Sequence, residues 1–133
     1  MDSVNLAAIV VAAVAADLIG TLWYVVVGGQ HMDSAAAESG VVDDGRPPAW
    51  KLLVELGRSL VVASVIAGLV VQLGVVDWTA ALGLGIAIWI GFPVTLLVGS
   101  VIWEGVAPRL AVIHAGHWLV KTSAIALIVA LWR

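Results

Sequence analysis

The chain has 133 residues, 62% of them apolar and only 11% charged. An ordinary soluble domain is about half apolar and about a quarter charged, and a chain this short cannot hide that much apolar surface in one soluble core. The excess therefore faces lipid. The formal net charge of −3 gives no sign of a nucleic-acid partner, and zero cysteines exclude disulfides, thiolate metal sites and cysteine nucleophiles.

Crossing a bilayer core takes about 20 apolar residues as a helix. Four stretches qualify, predicting an all-α membrane protein, a four-transmembrane-helix antiparallel bundle forming a single domain over residues 1–133. The first helix is predicted at 4–27. Met1-Asp2-Ser3 lacks the positive n-region of a signal peptide and the apolar run exceeds an h-region, so this segment is expected to be a retained helix. It carries Asp17 at mid-span and Ala8, Ala12, Ala16 and Gly20 at four-residue spacing. A long loop over 28–51 follows, with Asp33, Glu38, Asp43 and Asp44 and then Arg46-Pro47-Pro48. Its polar, Gly- and Pro-bearing composition predicts a surface segment.

The second helix, predicted at 52–76, holds Glu55 and Arg58 in its first two turns and Gln72 further along. A tight turn around Val76-Asp77-Trp78 leads to the third helix at 80–103. There Gly83, Ala87, Gly91, Thr95 and Gly99 form a small-residue stripe of the kind that lets helix backbones approach closely in lipid, within or between subunits. Pro93 is expected to kink this helix and free the carbonyl of Trp89. The segment Glu104-Gly105-Val106-Ala107-Pro108-Arg109 connects to the fourth helix at 110–132, which carries His114, His117 and Lys121. Short connections make neighbouring helices antiparallel.

Trp50, Trp78, Trp103 and Trp132 fall at predicted helix ends, with Trp23-Tyr24 near the end of the first helix, where amphipathic rings prefer the headgroup level. Trp89 and Trp118 lie deeper and read as packing residues. Arg46, Lys51 and Arg109 lie at the first and third loops, with Arg58 just inside the second helix, whereas the opposite side has Arg133 and the α-amino group. The positive-inside rule then puts both loops in the cytoplasm and both termini outside a cell (plasma) membrane.

Ionisable side chains inside a bilayer are costly, so they face the bundle interior and find partners. From about 1.5 Å of rise per residue, Asp17 and Lys121 both come out about 15–16 Å deep, Arg58 and His117 about 9–10 Å, and Glu55 and His114 about 5–6 Å. Matched depth predicts an Asp17–Lys121 pair, with Arg58, Glu55, His114 and His117 extending a polar seam. The seam admits a structural reading, in which it decides which helices meet. It also admits a proton or ion path, or a polar ligand site. Two histidines and Glu55 at similar depth raise the question of a divalent metal, but no established metal motif is present, and neither a metal nor another cofactor is expected. No G-x-S-x-G, phosphate-binding Gly loop or cysteine points to an enzyme.

Several short segments carry a resemblance. Gly20-Thr21-Leu22-Trp23-Tyr24, Trp89-Ile90-Gly91-Phe92, Trp103-Glu104-Gly105, Ile113-His114-Ala115-Gly116-His117 and the final Leu131-Trp132 together resemble the bacterial membrane-protein family catalogued as domain of unknown function 1761, DUF1761. These pieces span nearly the whole chain in order. The resemblance implies four membrane helices and no assigned activity. The chain departs from the family's pattern at Asp17, His114, His117 and Lys121. Two function classes follow. One is a structural, assembly or accessory subunit in the bacterial inner membrane, packed as a homo-oligomer or with another membrane-complex partner. The other is a small transport or permeation module using the charged seam.

Overall fold

The computed structural model describes residues 4–27 and 48–132. The expected first-loop features from Asp33 to Pro47 lie outside the described residues, as does Arg133. Four helices are each long and apolar enough to cross a membrane: α1 (Leu6–Val26), α2 (Ala49–Gln72), α3 (Trp78–Trp103) and α4 (Pro108–Leu131). No strand occurs among the described residues, and the chain is a four-helix multi-pass membrane bundle.

The helix ends differ by a few residues from those expected, each for a local reason. Asn5 caps α1 by accepting from the backbone N–H groups of Ala7 and Ala8 at 3.0 and 3.2 Å. Pro48 sits in extended conformation at the α2 N-cap and starts that helix at Ala49 rather than at 52. The other end of α2 closes early at Gly74, whose φ of +66° is reached freely only by glycine. There the N–H groups of Gly74 and Val75 donate to the carbonyls of Val71 and Val70 at 3.2 and 3.0 Å, a paired closure that satisfies two terminal carbonyls. Asp77 then caps α3 at Trp78 by accepting from the Ala80 N–H at 3.2 Å. Pro108 occupies the first turn of α4, where its missing N–H costs nothing.

Within α3, Pro93 lies inside a π turn over Ile90–Val94. The helix absorbs the proline by widening one turn, and the Thr95 hydroxyl donates to the carbonyls of Gly91 and Phe92 at 3.1 and 2.8 Å.

α4 is the hub: α1, α2 and α3 all pack against it, and α1 also packs on α2. Small residues let them approach. Ala8, Ala12, Ala16 and Gly20 are all buried on the inner face of α1, joined in the core by Ala63, Ile66 and Val70 of α2 and Ile125, Ala126 and Val129 of α4. α3 meets α4 through Ala81 and Gly85; a Cβ on Gly85 would come within 3.0 Å of the Ser123 Cα. The five-residue stripe lies elsewhere, since Gly83 and Gly85 are about 200° apart around the helix. Of the two expected uses of this stripe, within or between subunits, packing inside the chain falls to Gly85 instead. Gly83, Ala87, Gly91 and Thr95 are exposed, Gly99 is half-buried, and a Cβ on Gly83, Gly91 or Gly99 meets nothing within 4 Å.

Candidate functional site

At the end of the bundle formed by the C-terminus of α1 and the N-termini of α2 and α4, a polar cavity of about 300 Å³ opens, lined by Asp17, Tyr24, Glu55, Arg58, His114 and His117 among others. Lys121 of α4 reaches one of its lining residues, Glu55. This lysine is 1% exposed, and its Nζ donates to Glu55 Oε1 at 3.3 Å. The same carboxylate accepts from Arg58 Nη1 through Oε2 at 2.8 Å. Trp118 lies beneath the amine, with 4.9 Å from Nζ to the ring centroid, so the π face supplies attraction where water is excluded. α-Helical side chains lean toward the helix N-terminus, which for α4 is the cavity end, and the lysine runs that way to reach Glu55.

Asp17 is not the partner of Lys121. Its Oδ1 accepts from the Ser59 hydroxyl at 2.5 Å, and the salt bridges among the described residues are Glu55–Arg58 and Glu55–Lys121. Depth can be read from rise per residue, but partnership also needs the facing angle, and here Ser59 of α2 occupies the angle that Asp17 faces. Ser59 is fully buried; as one of several serines suited to helix packing, nothing in the sequence singled it out.

The histidines turn toward aromatic rings. His114 Nδ1 and the Tyr24 hydroxyl share a hydrogen bond of 2.5 Å. The His117 ring leans over Tyr24 at 4.8 Å between centroids, and its Nε2 lies 2.5 Å from where a Cβ on Gly20 would be. A side chain at position 20 would therefore displace this ring. His117 Nδ1 is buried without a hydrogen-bond partner. No group of three or more His, Asp or Glu among the described residues is arranged to hold a metal ion.

Backbone carbonyls of α4 anchor the surrounding indoles. Trp23 Nε1 donates to the Ile113 carbonyl at 3.0 Å and Trp89 Nε1 to the Ala115 carbonyl at 2.8 Å. Trp23 also fills the space beside Gly116 that a Cβ would need. Trp23 is half-buried and bridges α1 to α4. Gly20 and Trp23 of α1 and Trp89 of α3 thus all meet the 113–117 segment of α4. These residues were visible in the sequence; that Gly20 faces His117 and Gly116 faces Trp23 was not.

A family model described as a protein of unknown function, DUF1761, matches residues 7–130. No curated protein matches the chain. No solved structure matches it either.

Proposed function

The chain belongs to the DUF1761 family, and on that premise we propose that it is a non-catalytic assembly subunit of the cell membrane, joined to a second copy through the outward face of α3. One observation carries this reading: on the most apolar of the four helices, Gly83, Ala87, Gly91 and Thr95 are exposed and Gly99 is half-buried, and a Cβ on any of the three glycines meets nothing within 4 Å. Apolar burial gives no drive between helices in lipid, so close backbone packing takes its place, and small residues are what permit it. The polar cavity fits a structural role, because its charges tie α1, α2 and α4 together. It suits permeation less well. Beyond Lys121 and Thr122 the interior is Ala8, Ala12, Ile66, Val70, Ile125 and Val129, which offers no polar lining toward the opposite side.

Gly83→Leu combined with Gly99→Leu tests the interface without touching the chain's own packing. The mass in lipid nanodiscs, counted by single-molecule photobleaching, should fall from oligomer to monomer while helicity stays constant. An unchanged subunit number would reject the reading. The orientation that goes with it, loops 28–51 and 104–109 in the cytoplasm and both termini outside, rests on Arg46, Lys51, Arg58 and Arg109 against Arg133. Reporter fusions in the first loop and at the C-terminus test it, and an external first loop with a cytoplasmic C-terminus overturns it.

A further inference from the structure

Arg58 is in an unusual position for a charged residue of a membrane helix. It lies seven residues beyond Lys51 on α2, about 10 Å along the axis, yet its side chain is 60% exposed. Hydrocarbon is a poor environment for a guanidinium, and such groups settle where a polar partner or the headgroup layer is within reach. Leaning toward the α2 N-terminus brings this one toward the cavity mouth. Its partner Glu55 is shared with Lys121, so two cations rest on one carboxylate and this wall carries an unbalanced positive charge. Asp17 lines the same cavity and forms no ion pair among the described residues. It supplies the opposite sign on the α1 side. The cavity is therefore polar and dipolar, positive at Arg58 and negative at Asp17.

A second hollow continues from it. α2 and α3 both rest on α4, and between them runs a groove of about 580 Å³ with side chains such as Val62, Val65, Leu69, Phe92 and Leu96. Arg58 and Trp118 line both hollows. From Arg58 to Leu69 the groove follows α2 for about 16 Å, starting at a charge and ending among aliphatic side chains. A polar, two-signed pocket joined to an apolar channel has the polarity profile of one phospholipid.

We infer that the chain binds a single phospholipid with a primary ammonium headgroup: the phosphate on the free N–H groups of Arg58, the ammonium on the carboxylate of Asp17, and one acyl chain along the α2–α3 groove. Arg58 commits Nη1 to Glu55 and keeps further donors of its planar fork for phosphate oxygens. Asp17 uses Oδ1 for Ser59, and its carboxylate has acceptor capacity left for an N–H donor. A quaternary choline headgroup has no N–H to give, and a glycerol headgroup has no positive charge. The site is separate from the outward α3 stripe and does not depend on it.

The test is native mass spectrometry of the full chain, freed of lipid in detergent and titrated with phosphatidylethanolamine, phosphatidylcholine or phosphatidylglycerol. One phosphatidylethanolamine should bind about tenfold more tightly than either of the others, the order expected when a charge-assisted hydrogen bond is lost. Asp17→Asn should erase the preference over phosphatidylcholine, and Arg58→Gln should weaken all three. Val65→Trp is at an exposed position and leaves the fold intact while filling the groove; it should lower binding of every lipid. Equal affinity for the three lipids overturns the inference, and so does undiminished phosphatidylethanolamine binding in Val65→Trp. Because Val65 takes no part in the ion pairs, that arm decides the matter even if a charge variant does not fold.

Discussion

α3 and α4 are neighbours of similar length, and they show opposite relations to the bundle. α3 is the most apolar span and the least buried; α4 is the least apolar and the most buried. In water the order would be reversed, because apolar surface drives a helix inward. In lipid an apolar face is indifferent to whether it meets a neighbour or an acyl chain. What goes inward is what hydrocarbon does not tolerate or what lets backbones come close. α4 carries His114, His117, Lys121 and Thr122, and it becomes the hub. α3 contributes only Ala81 and Gly85 to buried positions.

The sharpest way to break this contrast is to remove the reason for burying α4. Glu55→Leu leaves the Lys121 ammonium in a dry site without its carboxylate. It should cost about 3 kcal/mol, the low end for breaking a buried pair, because Glu55 itself remains 40% exposed. Adding Lys121→Leu should restore most of that loss. Denaturation in mixed micelles measures both variants, and a double variant no more stable than the single one would show that the pair is not what holds α4 in place.

Glycines on the two helices give the next comparison. Gly116→Ala puts a Cβ into the Trp23 ring, and the overpacking should cost about 1–3 kcal/mol. Gly83→Ala on α3 meets nothing and should be neutral in a monomeric state. Equal effects from the two substitutions would mean that α3 packs as closely as α4. Smaller again is Trp89→Phe, which keeps the ring and removes the donor to the Ala115 carbonyl; its expected cost is about 1 kcal/mol. A loss of protease resistance confined to α3 would mark that bond as what docks it on α4.

The smallest effect belongs to the start of α3. The Thr79 hydroxyl and then the Ala80 N–H donate to the Asp77 carboxylate and hold its pKa below the usual carboxylate range. A depressed folded-state pKa stabilises above the unfolded value, and that contribution is lost as pH falls through the folded one. Wild-type protein should therefore show a shallow acid limb in its thermal stability, beginning below about pH 4 and absent in Asp77→Asn. An identical limb in the variant would assign it to other carboxylates.

The existence of the four spans was legible because apolar length is a property along the chain. The turns around Asp77 and Pro108 were largely legible too, because these residues act through backbone rules that need no partner. The helix ends were misjudged by a few residues, since Pro48 starts α2 early and Gly74 ends it early. The polar side chains of the cavity were recognisable one by one, but Asp17 was matched to the wrong partner, and nothing in the sequence marked Gly85 as the glycine on which α3 meets α4. Tyr24 and Ser59 were passed over because a tyrosine near a helix end and a serine in a membrane helix are commonplace until a partner faces them.

The amino-acid sequence by itself determined that this chain crosses a membrane in four helices and that Asp17, Glu55, Arg58, His114, His117 and Lys121 lie within those helices. Tertiary structure decided which face each helix presents, which helix is central, and that Glu55, not Asp17, accepts from Lys121. The physical reason is the solvent. Hydrocarbon makes length decisive, because every backbone polar group must be satisfied within a helix, while it makes rotation nearly free for apolar residues. The rotation of each helix is left to a few glycines, indole N–H groups and charges, and their partners are known only once the helices are side by side.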